Sequence, residues 1–128
     1  MTPTSWEWVR EFPRVIEEEI RQFALTIGDN NPIHHDSKAA RDRGLRDVVA
    51  PGVMVVGYLS STIADEIPGV LVTEINRLQF KNPLYAGVSP VVHCAREHSH
   101  GHFVRMRFEI YGNSDSLLAS GFCTLALP

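Results

Sequence analysis

The rhythm of hydrophobic and polar positions changes along the chain. Near the start, Trp6 and Trp8 alternate with polar residues and Phe12 follows, which predicts a short first strand or an extended lead-in. From residue 16 the period lengthens. Ile16, Ile20 and Phe23 fall at helical spacing, and Glu17, Glu18 and Glu19 fill the first turn, where the helix dipole favours acids. Gly28 suits the end of that helix. A second short helix is expected over residues 36–41, with Asp36 as N-cap and Gly44 as its stop. No charge appears between Asp47 and Asp65. Pro51 and Gly52 suit a helix start. Residues 53–64 then predict one long helix, apolar on all sides and therefore central and wrapped by a sheet.

After Pro68 the texture becomes strands and turns. Strands are expected at 70–80, 88–96, 103–110 and 117–127, with turns at 99–102 and 112–115. Over 103–110, Phe103, Arg105, Arg107 and Glu109 alternate with Val104, Met106, Phe108 and Ile110, the mark of a sheet with one wet face and one core face. The order is strand, short helices, one long helix, then four antiparallel strands. That is an α+β layout with the helices on one face. Without an internal repeat or linker, residues 1–128 read as a single domain.

Charge and cysteine usage narrow the function. The chain carries 12 Lys and Arg against 15 Asp and Glu, a net charge of −3, with no basic or acidic block. A dedicated nucleic-acid binder needs a basic stripe, so the charge balance argues against that class. A small anionic ligand held by a few residues stays open. Cys94 and Cys123 have neither a disulfide-framework nor a zinc spacing, and read as two buried free thiols. The first residues lack a basic and an apolar leader region, so a cytoplasmic setting is expected. The uncharged run falls short of the roughly 20 apolar residues a membrane span needs.

The densest chemistry lies in Gly28-Asp29-Asn30-Asn31-Pro32-Ile33-His34-His35-Asp36. Two carboxylates, two imidazoles and two carboxamides fall in nine residues with no hydrophobic repeat, which predicts a loop of fixed shape. Such residues are also ordinary turn formers. A carboxylate and an imidazole held close, Asp29 and His34, are the best acid/base candidates. His98, His100 and His102 alternate, but Gly101 breaks their alignment and no carboxylate or cysteine completes a ligand set, so no metal site is expected. Gly28-Asp29 lacks the Gly-Lys-Ser/Thr of a phosphate loop.

From Phe23 through this stretch to Ala39 and Ala40, the chain resembles the signature of the MaoC-like, or (R)-specific, enoyl-CoA hydratases. Ala50-Pro51-Gly52 resembles that family's start of the central helix, and Phe80 with Asn82-Pro83-Leu84-Tyr85-Ala86-Gly87 its later strand and turn. The resemblance implies the hot-dog fold and a lyase. Asp29 and His34 would be a catalytic dyad holding one water. That water would be added across a trans-2-enoyl thioester of CoA or acyl carrier protein, or removed from a (R)-3-hydroxyacyl thioester. Gly52 would donate its N–H to the thioester oxygen. Asn31 would orient the dyad or merely form the turn. Ser60 would line the site or merely bond a helix carbonyl. No metal or redox cofactor is implied, and a homodimer is. The chain departs from the family at Ile27, where a small Ser or Thr is usual, and at Ser89, where an acid is common near the glycine. His35 is read as solvated. Arg77, Lys81, Arg105 and Arg107 are candidates for carrier phosphates or for plain solvation. Two other classes stay open: a hot-dog thioesterase, which needs a carboxylate on the central helix, and a non-catalytic acyl-thioester-binding subunit.

Overall fold

The computed structural model describes residues 5–113 and 115–128. The segment at 1–4 on which the leader reading partly rests, and Ser114 of the expected 112–115 turn, lie outside the described residues. In chain order the elements are β1 (Trp8–Glu11), α1 (Glu17–Ile27), a 3-10 turn (Pro32–His34), α2 (Ser37–Asp42), α3 (Gly52–Glu66), β2 (Leu71–Phe80), β3 (Pro90–His100), β4 (Phe103–Gly112) and β5 (Ser116–Ala126). All strand pairs are antiparallel, in the order β1-β3-β4-β5-β2.

Alternation drives the sheet. Val104, Met106, Phe108 and Ile110 of β4 turn inward and are buried, as are Val92 and Cys94 of β3 and Cys123 and Leu125 of β5. Against them α3 packs Met54, Val55, Leu59 and Ile63, and α1 adds Ile20. Thr62 is buried as well, and its hydroxyl donates to the Tyr58 carbonyl at 2.9 Å, which satisfies it.

The elements differ from expectation in two places. The α3 helix is not enclosed on all sides. It rests on β3 and β4, while the stripe Val53, Gly57, Ser60 and Ala64 stays exposed. Hydrophobicity alone cannot say which side a neighbour covers. The neighbouring strand β2 lies at the sheet edge and is mostly exposed. Lastly, the turn expected at 99–102 shrinks to Gly101 and His102, since Ser99 pairs with Val104 and His100 with Phe103. Gly101, at φ 61°, supplies the left-handed residue of this tight hairpin.

Candidate active site

The site begins where α1 stops. Gly28 sits at φ 72°, its N–H bonds to the Leu25 carbonyl at 3.1 Å, and the Asp29 N–H bonds to the Ala24 carbonyl at 2.8 Å. This is a Schellman stop, and it fixes Asp29 in the first residue past the turn. The Asn31 N–H then donates to Asp29 Oδ1 at 3.1 Å, which leaves Oδ2 free to face elsewhere. Asn31 in turn caps the 3-10 turn by accepting from the Ile33 N–H at 3.3 Å, and Pro32 pre-sets its first residue.

The 3-10 turn presents His34, which is buried. Its Nε2 lies 3.2 Å from Asp29 Oδ2. Its Nδ1 lies 2.7 Å from the Val49 carbonyl oxygen. A carbonyl can only accept, so Nδ1 carries a proton, and the neutral ring therefore aims an unprotonated Nε2 at the carboxylate. Two acceptors then face one another. A water can donate to both, or one proton on either group can bind them together. That is the arrangement an acid/base pair needs.

The same stretch couples the dyad to α3. The Val49 N–H bonds the Ile33 carbonyl at 3.1 Å, and the Ala50 N–H bonds the Leu84 carbonyl at 2.9 Å. Val49 is thus tied to the dyad loop on both sides, three residues before Gly52. The Ser37 hydroxyl and the Val48 N–H, each at 2.7 Å, hold the Asp47 carboxyl below its ordinary range and dock this segment on α2. Gly52 is the first residue of α3, where N–H groups have no intrahelical partner and the dipole favours negative charge. The Phe80 ring lies over it: a Cβ on Gly52 would stand 2.9 Å from Phe80 Cζ.

A cavity of about 580 Å³ runs along these groups. Its wall includes Asn31, His34, Gly52 and Phe80, with Arg43 and Lys81 among its other residues. Asp29 touches His34 and is one-third exposed at 32%, but is not part of this wall. Ser60 is not brought to the dyad. It is exposed and lines a separate hollow of about 180 Å³ with Val72 and Ile75. Its eight-residue spacing from Gly52 gives the helix face, and that face turns out to be the open one. Among the described residues no cluster of three or more metal-binding side chains occurs, and no helix is long and apolar enough to cross a membrane.

Within the dyad loop, sequence reasoning missed one residue. His35, read as solvated, is half-buried, and its Nε2 lies 2.9 Å from the Asp29 carbonyl oxygen. Asp36 is the N-cap of α2 as expected, accepting from the Lys38 N–H at 3.0 Å.

The long helix laid on a five-stranded antiparallel sheet is the hot-dog fold. The (R)-hydratase from A. caviae involved in PHA biosynthesis superimposes with a TM-score of 0.84 over all of both chains, at 18% identity, a likeness that carries the fold alone. Residues 4–110 match the model of the MaoC like domain, and the chain belongs to that family, one of hydratases and dehydratases. It is 32% identical over 124 residues to a UPF0336 protein of Parafrankia sp., covering 88% of this chain and 82% of that protein. It is 30% identical over 71 residues to a mitochondrial 3-hydroxyacyl-[acyl-carrier-protein] dehydratase of Solanum lycopersicum. That match spans 56% of this chain and 42% of the tomato protein's length.

Proposed function

We propose that the chain is a hydro-lyase that interconverts a trans-2-enoyl thioester and its (R)-3-hydroxyacyl thioester, carried on CoA or acyl carrier protein. One observation carries this reading. His34 Nε2 stands 3.2 Å from Asp29 Oδ2, while its Nδ1 proton is locked on the carbonyl of Val49, three residues before the free amides of α3. In hydration, the oxygen of a water held by the dyad bonds to C3, one of its protons passes to the dyad, and C2 takes a proton from the dyad. Between these events the thioester oxygen gains charge, and the Gly52 N–H donates to it. The net change is one water added, with no electron gained or lost.

The exposed apolar stripe supports a homodimer. Val53 on α3 and Leu71, Val72 and Ile75 on the edge strand β2 are all exposed. A two-fold pairing along β2 would cover them and the strand's free backbone groups with a second copy. Sedimentation at a single monomer mass over the micromolar range would count against it.

A thioesterase reading fits less well. The first acids of α3 are Asp65 and Glu66 at its far end, about 20 Å along the axis from Gly52, and Asp65 is paired with Arg10. The deciding experiment offers the purified chain trans-2-enoyl thioesters and follows loss of the conjugated double bond together with free thiol. Double-bond loss without thiol release is expected. Asp29→Asn or His34→Ala should lower it by roughly 10²-fold or more, the usual share of a positioned acid or base, while the fold remains. Both variants working near the wild-type rate would overturn the assignment.

A further inference from the structure

Most cations in this chain are already engaged. Arg10, Arg21, Lys38, Arg96 and Arg107 each pair with an acid, and the guanidinium groups of Arg46 and Arg105 lie over the rings of Tyr85 and Phe122. Among the described residues, Arg14, Arg41, Arg43, Arg77 and Lys81 have neither an ion pair nor a ring partner of that kind. Only Arg43 and Lys81 of these line the dyad cavity. Asp42, the acid beside Arg43, is taken by Lys38 at 2.8 Å.

Both cations are placed by elements rooted at the reacting groups. Arg43 is the C-cap of α2, its N–H bonded to the Ala39 and Ala40 carbonyls at 3.1 Å. The helix starts three residues after His34, and its rise sets Arg43 about 9 Å along the axis from Ser37. Lys81 follows Phe80, whose ring lies on Gly52, and its N–H is held by the Leu118 carbonyl at 2.8 Å. One cavity therefore joins a dyad imidazole, a helix N-terminus and two unpaired cations that come from different parts of the chain. With an overall charge of −3 the protein does not attract anions as a whole, so anion capture must be local.

We infer that Arg43 and Lys81 form a phosphate clamp on the dyad cavity, taking the phosphate ester at the end of the substrate's pantetheine arm. The clamp rests on the thioester reading. Arg43 offers a planar fork matched to two phosphate oxygens, and Lys81 a point charge. That phosphate is common to CoA and to the prosthetic arm of acyl carrier protein. Of the four cations singled out in the sequence, the geometry keeps Lys81 and sets aside Arg77, Arg105 and Arg107, which lie outside this cavity, the last two against Phe122 and Trp6. It also adds Arg43, whose position nine residues past His34 carried no signal in the sequence.

The test is calorimetric titration of the wild type and of an Arg43→Gln/Lys81→Gln double variant with 4′-phosphopantetheine and with pantetheine. Wild type should prefer the phosphorylated arm by about tenfold or more, the worth of one charge-assisted contact, and the double variant should lose that preference. Equal binding of the two arms by wild type, or an undiminished preference in the variant, overturns the clamp whether or not the chain turns over substrate. Conversely, an intact preference with no hydration of any enoyl thioester overturns the hydro-lyase and leaves the clamp standing. Specificity ratios then identify the source. A fall in kcat/KM for the CoA thioester relative to an N-acetylcysteamine thioester names CoA, and the same fall for the carrier-protein thioester names the carrier. In a chain that hydrates these thioesters, a fall for neither overturns the clamp.

Discussion

His35 holds the backbone of the residue that faces its neighbour: its Nε2 lies 2.9 Å from the Asp29 carbonyl, while the adjacent His34 meets the Asp29 carboxylate at 3.2 Å. Two consecutive imidazoles therefore grip one aspartate from its main-chain and side-chain ends. His35 is a positioning residue in this arrangement. His35→Ala should lower kcat by about tenfold, the scale of one lost hydrogen bond of about 1–1.5 kcal/mol, with little change in KM. Glutamine can bring an amide N–H to nearly the same point, so His35→Gln should recover most of the loss. Steady-state kinetics of the three proteins decides it. An alanine variant with wild-type kcat would reduce His35 to packing.

Gly52 and Phe80 should be coupled. A Cβ on Gly52 would meet three atoms of the Phe80 ring at 2.9 to 3.1 Å. The ring is half-exposed at 51%, so it can swing outward and the fold should survive Gly52→Ala. The displaced ring and the new methyl group would crowd the place proposed for the thioester oxygen, so turnover should fall further than stability. Adding Phe80→Ala removes the clash. A double-mutant cycle by thermal unfolding should give a favourable coupling of about 1 kcal/mol between the two changes, within the range for contacting residues. Strictly additive effects would mean that the ring does not press on Gly52.

These two pairs show what a sequence can and cannot say about such a site. Asp29 and His34 are legible because a Gly stop, a Pro and a cluster of polar side chains within nine residues can only make a stiff turn, and spacing along a turn survives folding. The sheet is legible because alternation over 103–110 has one physical solution. His35 is not legible, because its direction depends on the φ and ψ of a single residue after the 3-10 turn. Arg43 and Phe80 come to the cavity from elements whose packing is not local. Ser60 stands apart from the dyad for a related reason. Helical spacing from Gly52 ranks the residues of one face, but only the sheet decides whether that face is covered.

Gly121 should tolerate no side chain. A Cβ there would stand 2.9 Å from Phe108 Cζ and 3.0 Å from the Asn76 carbonyl oxygen. Unlike Phe80, Phe108 is fully buried at the centre of the core, and the second neighbour is backbone, so neither can retreat cheaply. Gly121→Ala is expected to lose about 1–3 kcal/mol, the usual cost of overpacking. Chemical denaturation with an unchanged m-value would measure it. A loss below about 0.5 kcal/mol, the scatter of ordinary surface changes, would show that β5 and the bulged part of β2 can part more easily than their register implies.

The two thiols should make the fold alkali-sensitive. Cys94 and Cys123 are fully buried, and burial pushes both up from the ordinary 9.0 to about 12. In the unfolded chain they lose protons as the pH passes 9, whereas in the folded chain they keep them until near 12. The folded state thus binds more protons in that window. Stability from the protonated thiols is fully present below pH 9 and is lost as pH rises toward 12, by at most about 1.4 kcal/mol per thiol per pH unit. Urea unfolding at pH 8 and pH 10 should show a larger drop for wild type than for a Cys94→Ala/Cys123→Ala variant. Thiol-specific reagents should react with neither cysteine in the native protein at pH 8 and with both after denaturation, since only an exposed thiolate attacks. Equal drops in the two proteins, or rapid labelling of the native chain, would show that these thiols are reached by water.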